Sequence, residues 1–339
     1  MRTEMSTAAA AAAGLPEAVR ALAEADFGAV AQRFRDAGFV VALPASGILT
    51  VRAATLDADR PSVLVSVGVH GDETGPIEMV AYLVDALSRS ASTLAVDLML
   101  CVGHIDAIRA GKRFIDADLN RMFRAERGSL AGTFEAGRAD VLIEATRAFF
   151  EGSGPARWHL DLHTAIRPSH YPMFAIVPEL IADAARRGLM GWLGEAGIEA
   201  IIMNPESAGT YSYFTAEHLG AASSTVELGR VGTLGQNDLS QFAAASSALD
   251  RLLRGQPAQP ATSPPRVFAT AQSIIKLSDA FSMQVGRETW NFTPMQKGEV
   301  IAQDGATVYT VQHDEELVVF PNPDVRVGLR AGIMVVRIG

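Results

Sequence analysis

The chain has 339 residues, 48% of them hydrophobic, a formal charge of −9 and a single cysteine. That length accommodates one large α/β domain and a smaller one with a real core. The acidic balance disfavours nucleic acid as a partner, and one cysteine excludes a disulfide framework.

No apolar stretch approaches the roughly 20 residues that a membrane span needs, so no membrane partner is expected. The N-terminal "STAAAAAAGLPEAVRAL" is of low complexity, and Glu4 accompanies Arg2 before it. The first ~15 residues are expected to form a disordered leader rather than a signal peptide. Cys101 lies inside "VDLMLCVG" and reads as a small core residue. A reducing, cytoplasmic setting follows.

Strand and helix patterns alternate along the chain from about residue 61 to 255. "PSVLVSVGVH" (61–70) reads as a buried strand, and "PIEMVAYLVDALSRS" (76–90) as a helix with Pro76 in its first turn. "AVDLMLCVG" (95–103) is a strand and "RADVLIEATRAFFEG" (138–152) a helix ended by Gly152. "RWHLDLHTA" (157–165) is again a strand. A helix over 178–197 and a short strand over 199–204 follow, then a strand "AASSTVELG" (221–229) and a helix over 236–255. This alternation predicts an α/β fold: a largely parallel or mixed sheet with helices on its faces.

The texture changes at "GQPAQPATSPP", where proline and small residues mark a linker over 256–265. Beyond it, short runs at 266–277, 281–286, 300–305, 307–312 and 316–321 are punctuated by glycine, proline and Asp-Gly. They predict a small all-β domain over 266–339, behind a catalytic domain over 1–255.

One stretch raises a chemical question. In "SVGVHGDETGPIEM" an apolar run ends on His70, and Glu73 follows three residues later. Residues i and i+3 of a strand point to opposite faces, so the two converge only if the chain bends. Gly71 permits such a bend. His163 is delivered in the same way by the end of "RWHLDLH". Two histidines and a glutamate, with a fourth position left to water, are the ligand set of hydrolytic zinc sites. The helical H-E-x-x-H signature is absent. A short H-x-x-E pair about 90 residues before a third ligand is instead the carboxypeptidase type of spacing. Lone histidines are most often hydrogen-bonded structural residues, and His104, His159, His170, His218 and His313 are read that way. Asp161 shares a strand face with His159 and His163, so it either braces a ligand or is a satisfied buried carboxylate.

Glu227 ends the strand "SSTVELG" among apolar neighbours. It is either a structural partner or the carboxylate that moves a proton in hydrolysis. Segment 109–127, "RAGKRFIDADLNRMFRAER", holds six basic residues against three acidic ones. It is either a solvated basic face or the wall of a pocket for a small anionic substrate.

Together, "GVHGDETGPIEM", "GKRFIDADLNRMF", "WHLDLHTAIR", "TVELGR.....GQNDL" and "VVFPNPDVRVGLRAGIM" resemble the succinylglutamate desuccinylase and aspartoacylase family, a branch of the zinc carboxypeptidase fold. "DLNRMF", "DLHTAIR" and "FPNP" resemble the succinylglutamate branch more than aspartoacylase. The resemblance spans residues 66–334. It implies a zinc carboxypeptidase-like mixed sheet with helices on both faces, and one zinc ion held by His70, Glu73 and His163. It implies Glu227 as the catalytic carboxylate, and Arg113, Asn120 and Arg121 as residues touching substrate. The implied reaction is hydrolysis of the amide of N-succinyl-L-glutamate, the last step of arginine catabolism by the succinyl route. Deacylation of another N-acyl amino acid, such as N-acetylaspartate, is the alternative. The C-terminal β domain is implied to lie beside the site mouth. One departure is Gly103-His104, where the family often carries Asn-Pro. A homo-oligomer is compatible with the sequence.

Overall fold

The computed structural model describes residues 14–55, 57 and 59–339. The expected leader falls almost wholly outside them. In chain order, α1 (Glu17–Ala23), α2 (Gly28–Asp36), β1 (Val40–Ala42) and β2 (Ile48–Arg52) come first. Then follow β3 (Ser62–Val67), α3 (Thr74–Arg89), β4 (Asp97–Val102), α4 (Ile105–Ala110), α5 (Phe134–Phe150) and β5 (Arg157–Ala165). Next are β6 (Met173–Pro178), α6 (Asp183–Glu195), β7 (Ala200–Asn204), α7 (Tyr211–Leu219), β8 (Ala222–Arg230) and α8 (Ala243–Leu253). The C-terminal strands are β9 (Arg266–Ile275), β10 (Ser282–Met283), β11 (Thr293–Gln296), β12 (Val300–Asp304), β13 (Thr307–Thr310), β14 (Glu315–Val319) and β15 (Arg330–Arg337).

The α/β expectation holds, with a mixed sheet of twelve strands in the order β1-β2-β4-β3-β5-β8-β6-β7-β9-β15-β14-β11. At its centre β4, β3, β5 and β8 run parallel. β6 then pairs antiparallel with β8, and β7 parallel with β6. The β3 strand, SVLVSV, is buried along its whole length, as a strand covered on both faces must be. Its alternation feeds two cores. Val63, Val65 and Val67 pack with residues of α1, α2, α3, α6 and α8. Leu64 packs with residues of α5 and α7. Helices therefore cover both faces.

Residues 256–265 carry neither helix nor strand. Beyond them β9 pairs in parallel with β7, so the C-terminal strands extend the main sheet rather than standing apart from it. A separate three-stranded sheet, β10-β12-β13, completes this region.

Several elements differ from the sequence reading. The helix expected over 178–197 is α6 and starts only at Asp183, because Pro178 closes the strand β6, which was not anticipated. The helix expected over 236–255 is α8, preceded by a 3-10 turn, Leu239–Phe242, capped by Asp238. The helix α7 was not anticipated. Its first six residues are all buried, so it lacks the polar stripe that marks a surface helix. Its Thr210 cap and left-handed Gly220 end are the local signals that mark it.

Candidate metal centre and its cavity

The parallel strands end side by side, and their C-terminal ends carry the site, where open α/β sheets place their ligands. After β3 the chain turns through Gly68, whose φ of +62° suits glycine. Gly71 is needed for a different reason: a methyl there would run into the backbone of Ala107 and Ile108. This turn brings His70 back to Glu73. Glu73 is the N-cap residue of α3, yet its side chain makes no cap hydrogen bond. The carboxylate points into the site instead.

His70, Glu73 and His163 are buried, and their ligand atoms lie within 4.8 Å of one another. The His70 Nδ1 is 2.8 Å from Glu73 Oε1, and the His163 Nδ1 is 2.8 Å from Glu73 Oε2. Behind each histidine stands a second carboxylate. His70 Nε2 donates to Asp118 Oδ1 at 2.9 Å, and His163 Nε2 donates to Asp161 Oδ2 at 3.0 Å. Asp161 also accepts from Ser66 Oγ at 2.5 Å. Asp161 therefore braces a site histidine.

The electrostatics follow from this crowding. Burial and then Arg113 pull His70 down, but Glu73 and Asp118 outweigh them and hold it above its ordinary value. Burial also pulls His163 down, but Asp161 and Glu73 lift it well above. Glu73 shows the mirror image: burial pushes it up, and the two histidines hold it well below. Carboxylates only accept, so each imidazole needs a proton on both nitrogens unless a cation takes the place of the Nδ1 protons. With Nε2 occupied by a carboxylate, each Nδ1 is left to face Glu73. That is how carboxylate–histidine pairs orient metal ligands. The residues present fit a metal ion.

Glu227 lies on β8 directly beside His163 of β5. It is 7% exposed, and its Oε2 has no hydrogen-bond partner among the described residues. Burial, followed by the neighbouring Glu73 charge, pushes its carboxyl up to about 7. A carboxyl so placed can exchange a proton near neutral pH.

A cavity of about 770 Å³ opens over these groups. His70, His163 and Glu227 line it, together with Arg113, Arg121, Arg167, Arg230, Arg287, Arg326 and Arg330. Against these seven arginines stand the carboxylates of Asp118, Glu227, Glu288 and Asp324. The cavity is thus cationic in a chain of charge −9.

The sequence-predicted residues converge here. Arg113 donates to Glu73 Oε1 at 2.7 Å and lies 3.9 Å from Asp118, so it is anchored beside the His70–Glu73–His163 cluster. Asn120 lines the cavity, but its Oδ1 accepts from the Tyr211 backbone N–H at the start of α7. Arg121 donates to the Asn120 carbonyl and has no carboxylate partner among the described residues. Sequence reasoning missed Asp118 as a brace for His70 and counted it only as a charge. It also missed Arg167, Arg230 and the C-terminal arginines as cavity residues.

Two of the other histidines, His104 and His159, are held by internal hydrogen bonds. His104 caps α4 through Nδ1 and donates from Nε2 to the buried Glu135, so the Gly103-His104 turn is held internally. His159 bonds Ser66 and Thr215, and burial takes it down to about 4. Cys101 is buried, and burial pushes its thiol up to about 12, as for an inert core residue.

Comparison with known proteins agrees with this geometry. Residues 59–253 match the succinylglutamate desuccinylase/aspartoacylase catalytic domain, and residues 263–338 match the AstE/AspA barrel-sandwich hybrid domain. The chain is 46% identical over 293 residues to a succinylglutamate desuccinylase of Burkholderia orbicola (strain MC0-3), covering 86% of this chain and 85% of the relative. It is 43% identical over 294 residues to that of Paraburkholderia xenovorans (strain LB400), covering 86% of each. Among solved structures, succinylglutamate desuccinylase from Vibrio cholerae superposes with a TM-score of 0.82 at 32% identity, covering 90% of this chain and 89% of the other. Coverage on this scale takes in the strand ends, the cavity and the C-terminal strands alike. The chain belongs to the succinylglutamate desuccinylase/aspartoacylase family.

Proposed function

We propose that this chain is a zinc-dependent amidohydrolase that cleaves N-succinyl-L-glutamate to succinate and L-glutamate. The observation that carries the reading is the placing of His70, His163 and Glu227 in the lining of a cavity walled with arginine, with Glu73 grouped beside the two histidines. A substrate with three carboxylates suits a wall with such an excess of cations. The names of the relatives support the same substrate.

His70, Glu73 and His163 would hold one zinc ion, a donor set that suits zinc. When bound, zinc supplies Lewis acidity toward the amide carbonyl and toward water. Glu227 takes a proton from the attacking water. The water oxygen bonds to the amide carbon, the C–N bond breaks, and Glu227 returns the proton to the departing amine. Arg113 is a fixed cation beside the ligands and balances charge developing on the carbonyl oxygen. Its bond to Glu73 sets that position. Asn120 offers its amide nitrogen, since its oxygen is taken, and Arg121 offers its guanidinium to a carboxylate.

The proposal divides the chain into a catalytic unit over 1–255 and a β unit over 266–339, joined through 256–265. It includes the cytoplasm as the place of work, where the buried Cys101 thiol stays reduced. Among the described residues no helix is long and apolar enough to cross a membrane.

The test is metal content together with turnover on a panel of N-acyl amino acids. One zinc per chain and preferred cleavage of N-succinyl-L-glutamate are expected. Preference for N-acetylaspartate would replace the substrate, and full zinc occupancy in His163→Ala would overturn the ligand set.

A further inference from the structure

Arg330 is the first residue of β15, far in sequence from every group discussed above. It is partly buried and lines the cavity with Arg121. Its guanidinium has no hydrogen bond and no ion pair with any described residue. Arg121 likewise has no carboxylate within ion-pair distance among the described residues, although its charge is felt by Asp118. Of the other cavity arginines, Arg230 is exposed to solvent, Arg113 is held by Glu73, and three more are engaged. Arg287 pairs with Asp324 at 2.7 Å, Arg326 donates to the Asp116 carbonyl, and Arg167 donates to the Arg287 carbonyl. Burial and then the Arg121 charge pull Arg330 down to about 10, against a weaker opposing pull from Glu206.

Two guanidinium groups held in one cavity wall without a counterion are unfavourable for the folded chain alone. Desolvation and mutual repulsion both act against them. The arrangement makes sense when an anion enters. A carboxylate between the two receives charge-assisted hydrogen bonds from both, and guanidinium geometry favours bidentate contact.

We propose that Arg330 and Arg121 together bind one terminal carboxylate of the substrate, so that the C-terminal strands supply a specificity determinant to the reaction. The assignment rests on the reading of the substrate as N-succinyl-L-glutamate.

The test pairs Arg330→Met with substrates that each lack one carboxylate: N-butyryl-L-glutamate, N-succinyl-L-norvaline and N-succinyl-4-aminobutyrate. Losing charge-assisted hydrogen bonds should raise KM for N-succinyl-L-glutamate roughly 10- to 100-fold, with kcat within about threefold. For one of the three analogues the two enzymes should have the same KM, because the carboxylate that Arg330 reads is already gone. Arg330→Lys should fall between, keeping charge without the fork. The melting temperature of Arg330→Met should equal or exceed that of the wild type, since a half-buried cation leaves the side of another. An equal KM loss on all four substrates, or a lower melting temperature with normal KM, would overturn the assignment. Calorimetric binding of succinate and of glutarate needs no turnover. If the wild type cleaves none of the N-succinyl substrates, the functional reading falls, and these titrations still decide the Arg330 assignment. Weaker binding in Arg330→Met supports it, and unchanged binding refutes it.

Discussion

Replacing Glu227 by glutamine separates the cost of burying this carboxylate from its use. Its carboxyl is raised from an ordinary 4.5 to about 7, by burial first and the Glu73 charge second. Between those values the folded state of the metal-free protein holds a proton that the unfolded chain has released. Stability therefore falls as pH rises through this window, and the loss is complete above pH 7. Each unit is worth 1.36 kcal/mol, so the full cost is about 3 kcal/mol. Glutamine keeps the shape and stays neutral. After removal of metal with a chelator, Glu227→Gln and the wild type should melt within about 2 °C of each other at pH 5. At pH 8 the variant should melt higher by roughly 6 °C, taking about 2 °C per kcal/mol for a chain of this size. The loaded variant should keep its zinc and lose about 10²–10⁴-fold in turnover on N-succinyl-L-glutamate. Differential scanning fluorimetry from pH 5 to 8 and a steady-state assay suffice. Identical melting curves across that range would refute the burial argument, and near-normal turnover would return Glu227 to a structural role.

Three further outcomes follow from the packing. Asp118→Ala removes the acceptor behind His70 Nε2, and zinc affinity should drop about 10–100-fold by competition with a chromophoric chelator, with the fold unchanged by circular dichroism. Glu135 accepts from His104 and from the backbone N–H groups of Ile115, Asp116 and Ala117. Glu135→Ala strands the buried His104 ring and Ala117 N–H, and the part-buried N–H groups of Ile115 and Asp116 turn to water, so chemical denaturation should show a loss of about 3 kcal/mol. Gly71→Ala forces a methyl against the Ala107–Ile108 backbone; about 1–3 kcal/mol of stability should be lost, and zinc occupancy should fall as the turn between His70 and Glu73 shifts.

The sequence by itself determined the strands β3, β5 and β8, whose C-terminal ends deliver His70, His163 and Glu227. Apolar runs covered on both faces are unmistakable, and a charged residue at the end of such a run stands out against them. The turn from His70 to Glu73 was legible because both residues and the glycine belong to one short segment. Local pattern failed where burial erased it. The α7 helix, buried on every side through its first six residues, shows no amphipathic period. The β6 strand ended on a proline that reads equally well as a helix start.

Only the tertiary structure decided the partners. Asp118 lies 48 residues from His70, and Asp161 bridges to Ser66 across 95. Arg330 comes to line the same cavity as Arg121 only because β9 joins β7 and carries the C-terminal strands into the main sheet. Hydrogen bonds and charge pairs between distant segments depend on sheet order and register, which the side-chain pattern of any one strand does not encode. The sequence therefore named the groups with chemistry, and the fold decided which of them remain unpaired and free to meet a substrate.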